Sequence, residues 1–276
     1  MDAEIAGHYG SDNLGNRISQ ALVQAGKDPV KLSLKDIAVI DQLHTGGHLA
    51  TLALVKKTGL TPGMTVLDAG CGIGGTSRLL AETIGCRVIG LDLVQTFIDV
   101  ARMLTLATRQ EDTITFIQGN VCAMPIDDDS VDCVWSQHTL MNIQDKPGVF
   151  KEFLRVLKPG GILVLHEVTR GSNGDIHFPV PWADRREISF LDPWTQTRDY
   201  LNKAGFILVS ENDATAQAKD WWIKVKAASE KLAADPKPLG SHIIFGDNGK
   251  QFGTTMTANL DKDCIRLMEA IYKTPD

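Results

Sequence analysis

The chain has 276 residues, and its 28 Lys and Arg against 34 Asp and Glu give a formal net charge of −6. Its 43% hydrophobic and 22% charged residues are ordinary for a globular protein, which excludes a disordered chain, a collagen-like chain and a strongly basic nucleic-acid-binding protein. The length predicts one large domain, or one domain with a cap.

The first residues, MDAEIAGHYGSDNLG, contain no basic segment followed by an apolar one. Because no secretory signal is seen and no apolar run approaches the ~20 residues that span a bilayer, we expect a cytoplasmic protein without a membrane partner. The five cysteines form no Cys-x-x-Cys and no close pairs, which argues against a disulfide framework and a zinc site.

The N-terminal part of the chain has helical patterns but no strand pattern. Residues 1–34 are polar with one amphipathic stretch at 17–25, and a helical pattern follows over 34–58, interrupted at 45–48. The breakers Gly-Leu-Thr-Pro-Gly at 59–63 end that pattern. This organisation predicts an N-terminal helical segment over residues 1–60 and a main domain over residues 61–276.

Apolar strands then alternate with helical segments. Strands are predicted at 65–68, 87–92, 114–118, 131–136 and 162–168, helices at 76–84, 95–108 and 147–157, and a turn at 158–161. Such alternation predicts βαβ units and a parallel sheet that is covered on both faces.

The pattern changes after the fifth predicted strand. Residues 170–195 are rich in proline and tryptophan without periodicity, which predicts a cap insertion. A helix at 195–203, a strand at 205–210 and a helical insertion at about 214–262 follow. Residues 264–272 alternate well enough for a last strand, although a helix fits them as well.

The sharpest motif is VLDAGCGIGG at residues 66–75, between a predicted strand and a predicted helix. Glycines let the backbone turn tightly and let a ligand approach it, and the helix start offers free N–H groups. Gly70, Gly72 and Gly75 satisfy G-x-G-x-x-G, which alone is weak. Asp92 ends the second strand, where a carboxylate accepts the hydroxyls of an adenosine ribose; NAD and S-adenosylmethionine (SAM) share that ribose.

Asp68 and Gly74 distinguish the two cofactors. A carboxylate two residues before the first glycine would repel a pyrophosphate, and it suits a cofactor that carries an ammonium and a sulfonium. The alternative is a structural glycine turn whose strand-end acid caps the helix. We favour SAM because the loop, the spacing and the second acid occur together.

This loop resembles motif one of the class I SAM-dependent methyltransferases, and three later segments resemble that family's motifs in the same order. They are GNV at 119–121, DCVWSQH at 132–138 and FLRVLKPGG at 153–161. With DQLHTGG at 41–47 and FPVPWA at 178–183, the chain is similar over roughly residues 35–275 to bacterial proteins near the sarcosine/dimethylglycine N-methyltransferases. The resemblance implies an α/β fold: a Rossmann-like, doubly wound, mostly parallel seven-stranded sheet with helices on both faces, an N-terminal helical lid and a cap insertion.

The resemblance also implies which residues hold SAM. They are Asp68, Gly70, Cys71, Gly72, Gly74, Asp92, Leu93, Asn120, Val121 and Gln137. Asn120 replaces the commoner Asp, so that it keeps an acceptor oxygen for the adenine but loses the charge. The loop at 137–143 is expected beside the transferring methyl, with the cap insertion and the N-terminal helix closing over it.

His138 is the candidate catalytic residue, as a proton acceptor or as an orienting group for the nucleophile, since an imidazole ordinarily titrates near ~6.5. A loop histidine that contacts cofactor or backbone fits equally well. Substrate contacts are predicted for His44, His138, Met141, Asn142, His177 and Trp182. Trp182 would form an apolar or cation–π wall for an amine. No metal is expected, because the successive carboxylates at 127–129 point in different directions.

The predicted function is in-line transfer of the sulfonium methyl to a small-molecule acceptor, an amine such as sarcosine or dimethylglycine. Small-molecule O-, S- and C-methyltransferases stay open. An NAD(P)-linked oxidoreductase would need a pair such as Tyr-x-x-x-Lys, and a non-catalytic SAM-binding protein would not need Gln137 and His138. The net charge of −6 disfavours a nucleic-acid partner. A homodimer is left open.

Overall fold

A computed structural model describes residues 4, 7, 13–234 and 237–276, with the side chains at 232–234 left out. Most of residues 1–12, at the start of the predicted lid segment, lie outside this described part.

The strands form one sheet. They are β1 (Thr65–Ala69), β2 (Arg87–Asp92), β3 (Ile114–Gln118), β4 (Val131–Gln137), β5 (Leu157–Arg170), β6 (Ile207–Asp213) and β7 (Ile265–Lys273). Among the described residues the sheet has seven strands in the order β3-β2-β1-β4-β5-β7-β6. Strands β1 to β5 pair in parallel, whereas β7 runs antiparallel between β5 and β6. The predicted mostly parallel, doubly wound α/β architecture is confirmed, and the last segment is a strand rather than a helix.

Helices cover both faces of this sheet. They are α1 (Leu14–Gln24), α2 (Leu34–Asp41), α3 (Gly47–Thr58), α4 (Gly75–Ile84), α5 (Gln95–Ala107), α6 (Lys146–Val156), α7 (Trp194–Ala204), α8 (Thr215–Ala234), α9 (His242–Phe245) and α10 (Gly249–Asp261). On one face, Phe150 and Leu201 of α6 and α7 pack against Leu67 of β1. On the other face, Leu80 and Ile98 of α4 and α5 pack against its neighbour Val66. Successive strand residues point to opposite faces, which explains the continuous apolar strand runs.

The turn predicted at residues 158–161 is wrong in one respect, because these residues belong to the start of β5. The C-terminal residues hold them in the ladder: the Gly160 N–H donates to the Pro275 carbonyl at 3.0 Å, and the Gly161 N–H donates to Thr274 Oγ1 at 2.9 Å. Gly160 takes a φ of +69°, which glycine adopts readily, so the chain turns within the strand.

The N-terminal helices and the later insertions form two further apolar clusters. Leu14 and Ile18 of α1 pack against α5 and against Ile243 of α9. Trp182, from the segment after β5, packs with Trp222 of α8 and Phe252 of α10. No helix in the described ranges is long and apolar enough to cross a membrane.

Candidate functional site

A cavity of about 390 Å³ lies at the carboxyl ends of β1, β2 and β4. The sheet order reverses between β1 and β4, and α/β sheets bind their ligands at such a switch point. Residues from seven parts of the chain line it: Asp41, Leu43 and His44; Asp68 to Ile73 except Ala69, with Thr76; Asp92, Leu93, Val94 and Phe97; Gly119 to Cys122; Gln137 to Asp145 except Leu140; Pro181; and Phe245.

The glycine loop is held against β2 and the segment after β4. The N–H groups of Gly70 and Cys71 both donate to the Leu91 carbonyl, at 2.7 and 3.0 Å. Gly70 has a φ of +80°, and a Cβ there would overlap the side chain of Thr139. Glycine is therefore required at 70 by the backbone and by its neighbour. Because the Cys71 N–H is already used, the predicted contact of Cys71 with the cofactor would come from other atoms of that residue.

Gly74 is the predicted cofactor residue that does not line the cavity. It is the left-handed N-cap of α4, with a φ of +82°, and it lies against the side chains of Phe116 and Arg78. The left-handed backbone and the two close side chains explain why residue 74 is glycine, so no ligand contact is needed to account for it. Asn120, Val121 and Leu93 do line the cavity, and Asn120 Oδ1 accepts the Cys122 N–H at 2.8 Å.

The two acids predicted from the sequence both face this cavity. Asp92 accepts the Gly72 N–H at 2.8 Å and the Val94 N–H at 2.9 Å, so it ties the glycine loop to the end of β2. Burial raises the pKa of Asp92, and these N–H groups oppose the rise. Asp68 accepts the Ser77 hydroxyl at 2.5 Å, and burial raises its pKa to about 7.

The side-chain amide of Gln137 is fixed by four contacts. Its Oε1 accepts from Trp135 Nε1 at 3.0 Å, from Thr51 Oγ1 at 3.2 Å and from Thr76 Oγ1 at 3.3 Å. Its Nε2 therefore donates to His166 Nδ1, at 2.7 Å. This assigns the proton of a neutral His166 to Nε2. Gln137 thus joins α3, α4 and β5 below the cavity.

Three histidine rings meet beside Gln137. The centroid of His138 lies 5.2 Å from that of His166 and 6.2 Å from that of His44. Burial lowers the pKa of His138 well below its ordinary value, with smaller contributions from His166 and His44. Burial also lowers the pKa of His44 and of His166 to about 3. All three rings are therefore neutral at pH 7, and a neutral imidazole has one acceptor nitrogen.

His138 has an unusual position for a non-glycine residue. Its φ is +56°, and its N–H donates to the His166 carbonyl at 2.9 Å, so the strand pairing continues into the loop. Its Nε2 is buried and has no hydrogen-bond partner. His138 as a whole lines the cavity, so a ligand bound there would contact the atoms of this residue that are not buried.

Sequence reasoning missed Glu167, which is buried on β5. Its carboxylate accepts from Ser136 Oγ at 2.7 Å and from the N–H groups of Thr139 and Leu140 at 3.0 and 3.1 Å. Burial raises its pKa to about 7. Glu167 therefore holds the loop that carries His138. An acid inside an otherwise apolar predicted strand was the available sequence signal.

Sequence reasoning also missed an ion pair that fixes the N-terminal helices to the glycine loop. Arg78 of α4 pairs with Asp41, which ends α2 and lines the cavity. A Cβ at Gly75 would overlap the backbone carbonyl oxygen of Asp41. The end of α2 therefore lies directly on the first turn of α4.

The predicted substrate residues divide into two groups. His44, His138, Met141 and Asn142 line the cavity. Trp182 does not: it is buried within the cap, and its Nε1 donates to Ser189 Oγ at 2.9 Å. Asn142 also supports this cap, because its Nδ2 donates to the Trp182 carbonyl at 2.8 Å.

His177 lies outside the cavity lining as well. Its side chain is exposed, with Nε2 at 3.1 Å from Lys262 Nζ, and its backbone pairs with the side chain of Asn259. The segment after β5 turns this histidine toward α10. In the described part of the chain no group of three or more His, Cys, Asp or Glu side chains is arranged to hold a metal ion.

A family model described as a methyltransferase domain matches residues 67–165. The chain is 37% identical over 195 residues to phosphoethanolamine N-methyltransferase 1 of Arabidopsis thaliana, an alignment that covers 69% of this chain and 39% of that protein. It is 29% identical over 190 residues to methyltransferase GfsG of Streptomyces halstedii, covering 67% of each. The chain thus spans well under half the length of the plant relative.

Solved structures share the fold at low identity. Phosphoethanolamine N-methyltransferase 2 of Haemonchus contortus, in complex with phosphomonomethylethanolamine and S-adenosylhomocysteine, superposes with a TM-score of 0.75 at 19% identity, covering 97% of this chain and 61% of that one. A putative sarcosine dimethylglycine methyltransferase from Galdieria sulphuraria gives a TM-score of 0.70 at 20% identity, covering 83% and 84%.

Proposed function

The chain belongs to the class I SAM-dependent methyltransferases, and on that premise we propose that it binds SAM in this cavity and methylates a small molecule. The observation that carries the proposal is that two acids beside a glycine loop and a neutral imidazole line one cavity. The acids Asp68 and Asp92 flank the glycine loop, and His138 lies at the end of β4.

The residues of the loop fit the functional groups of SAM. Each Asp92 oxygen accepts one backbone N–H, which leaves further lone pairs for the two ribose hydroxyls. Asp68 would pair with the ammonium of the methionine part, and Asn120 and Val121 would contact the adenine. We propose Leu93, Gly70, Gly72 and Gln137 as further cofactor contacts, with Gln137 acting through its fixed amide.

SAM supplies an electrophilic methyl on a sulfonium, so the chain has to position the acceptor and exclude water. The S–CH₃ bond breaks as the bond to the acceptor atom forms. When that atom carries a proton, the neutral ring of His138 would orient the atom by accepting a hydrogen bond from it, and the proton would leave to water. Glu167 holds the backbone of Thr139 and Leu140, and thereby keeps His138 in place.

We propose that the helices of residues 1–60 act as a lid and that the insertions at about 170–195 and 214–262 act as a cap. The contacts that support this are the Asp41–Arg78 pair and the hydrogen bond from Trp222 Nε1 to Thr45 Oγ1, at 3.2 Å. Asp41 and His44 of the first segment and Pro181 and Phe245 of the insertions line the same cavity.

Nitrogen is the acceptor atom that we propose. The similarity to phosphoethanolamine N-methyltransferases supports it, and the resemblance to the sarcosine/dimethylglycine group makes small amines the first acceptors to test. A carbon acceptor is the second candidate, because the chain is also 29% identical over 168 residues to sterol 24-C-methyltransferase erg6 of Schizosaccharomyces pombe. The cytoplasmic location and a homodimer stay predictions.

Isothermal titration with SAM, S-adenosylhomocysteine and NAD tests the proposal. Micromolar binding of the two sulfur compounds without binding of NAD is the expected result. Binding of NAD alone would refute both the cofactor and the role of Asp68. Transfer of a labelled methyl group to small amines then tests the reaction.

A further inference from the structure

The part of the cavity that is left for the acceptor has a distinct lining. With the cofactor on the glycine loop, the remaining walls include Leu43, Met141, Ile143 and Phe245, with the neutral rings of His44 and His138. Leu43, Met141, Ile143 and Phe245 make these walls apolar. The polar groups in them are the two imidazoles and those of the segment after β4.

No cationic side chain reaches this cavity. None of the Lys and Arg residues in the described part lines it, and the undescribed positions contain neither residue type. Carboxylates and phosphates are bound in proteins mainly by Arg and Lys. Four aspartates, in contrast, line the cavity: Asp41, Asp68, Asp92 and Asp145.

Three cations close in sequence to lining residues are engaged elsewhere. Lys146 is buried, pairs with Asp192 at 3.3 Å and donates to the Ile143 carbonyl at 3.0 Å. Arg78 pairs with Asp41 beneath the lid. Arg186 is largely exposed and pairs with Asp175 outside the cavity.

Two helix starts that could hold an anion are engaged as well. The first turn of α6 borders the acceptor walls, and the carboxylate of Asp145 already caps it by accepting the Gly148 N–H at 3.0 Å. The first turn of α4 faces the glycine loop and so belongs to the cofactor. The histidines are neutral at pH 7, since burial lowers the pKa of His44 to about 3 and that of His138 well below its ordinary value.

We infer that the methyl acceptor is an amine without a carboxylate or phosphate group, held by apolar contacts and by a contact with the neutral ring of His138. This inference rests on the proposed function and narrows it. In the reaction the S–CH₃ bond breaks, a C–N bond forms, and the proton released from the acceptor nitrogen passes to water. Sarcosine, dimethylglycine and phosphoethanolamine carry anionic groups for which this lining has no counter-charge.

Matched pairs of probes test the inference on the full chain loaded with S-adenosylhomocysteine. Sarcosine is compared with sarcosinamide and phosphoethanolamine with ethanolamine, and binding is read by ligand-observed NMR, so that slow turnover does not mask a difference. We expect each partner without the anion to bind at least tenfold more tightly. A ratio near one, or tighter binding of the anionic member, overturns the inference.

A cation added to the acceptor wall provides the second measurement. Ile143→Lys should move the preference toward the anionic member of each pair by at least tenfold, whereas the matched Ile143→Met should leave the preference unchanged. An unchanged preference in Ile143→Lys would contradict the inference. Failure of S-adenosylhomocysteine to bind the wild-type chain refutes the proposed function instead, so the two failures are distinguishable.

Discussion

Arg78 and Asp41 form an ion pair in which both side chains are buried. The distance from Nη2 to Oδ2 is 3.0 Å, and the two side chains are 0% and 2% exposed. Arg78 also donates to the Ile73 carbonyl at 2.7 Å and to Thr105 Oγ1 at 3.0 Å. One guanidinium thus connects the end of α2, the glycine loop and α5.

We expect Arg78→Met to lower the free energy of unfolding by about 3–5 kcal/mol, because it leaves the Asp41 carboxylate buried without its partner. Urea unfolding measures the loss. The control is Arg186→Met, which breaks an exposed pair with Asp175 and should cost less than about 1 kcal/mol. Equal losses in the two variants would contradict a structural role for the buried pair.

Asp92→Asn should weaken SAM binding by about 1–3 kcal/mol, because ribose hydroxyls lose a charged acceptor in a buried site. Isothermal titration gives the affinity, and thermal unfolding measures the stability that the loop loses, because the amide nitrogen cannot accept one of the Gly72 and Val94 N–H groups. The exposed Asp127→Asn is the matched control and should bind SAM like the wild type. Unchanged affinity in Asp92→Asn would remove the ribose assignment.

SAM affinity should depend on pH through Asp68. Burial raises the pKa of Asp68 to about 7, so the carboxyl group is increasingly protonated below that pH. Because the ammonium of SAM pairs with the ionised form, affinity should fall as the pH falls from 8 to 6, approaching tenfold per pH unit. Titrations across this range measure the slope.

Two variants test whether Asp68 causes this pH dependence. Asp68→Asn should bind SAM weakly and without pH dependence. Glu167→Gln should keep the dependence, since the Glu167 carboxyl, whose pKa is also raised to about 7, does not line the cavity. If the slope disappears in Glu167→Gln and persists in Asp68→Asn, the assignment is reversed.

His138→Asn should lower turnover by about 10²–10⁴-fold and leave SAM affinity nearly unchanged. Asparagine is the substitute because it tolerates the left-handed backbone at this position. The exposed His177→Asn serves as the control with normal turnover. A loss of SAM affinity without slower turnover of the bound complex would make His138 a cofactor contact.

Gly70→Ala and Gly72→Ala separate backbone strain from crowding. Both residues have a positive φ, but only at Gly70 would a Cβ overlap a neighbour, the side chain of Thr139, whereas nothing lies within 4 Å of a Cβ at Gly72. We expect Gly70→Ala to cost about 1–3 kcal/mol more in unfolding free energy. Urea unfolding of the pair checks this, and similar losses would mean that strain alone acts.

The sheet and the glycine loop with its two acids were predictable because their signals are local. Strand periods, breakers and the loop with Asp68 are contiguous in the chain, and Asp92 follows at the end of the next strand. The hydrogen bonds of the Gln137 amide below the cavity were not predictable in the same way. The Gln137–His166 contact depends on the register of β4 with β5, which no short segment encodes.

The residues predicted to contact the substrate show the same limit of prediction from sequence. His177 and Trp182 lie in a segment without periodicity, so nothing in the sequence indicates which of its side chains turn inward. Their outward or buried positions follow from packing against α10 and α8. Arg78 and Asp41 likewise carry no local sign of burial, because charged residues in amphipathic helices usually face solvent.

The last glycine of the G-x-G-x-x-G pattern makes room for the chain itself rather than for a ligand. A side chain at Gly75 would collide with the Asp41 carbonyl oxygen, so residue 75 and the end of α2 constrain each other. An α2 segment transplanted in this position would therefore fit only a chain that also has glycine at residue 75. The motif usually associated with nucleotide binding is here also a compatibility requirement between two segments of one protein.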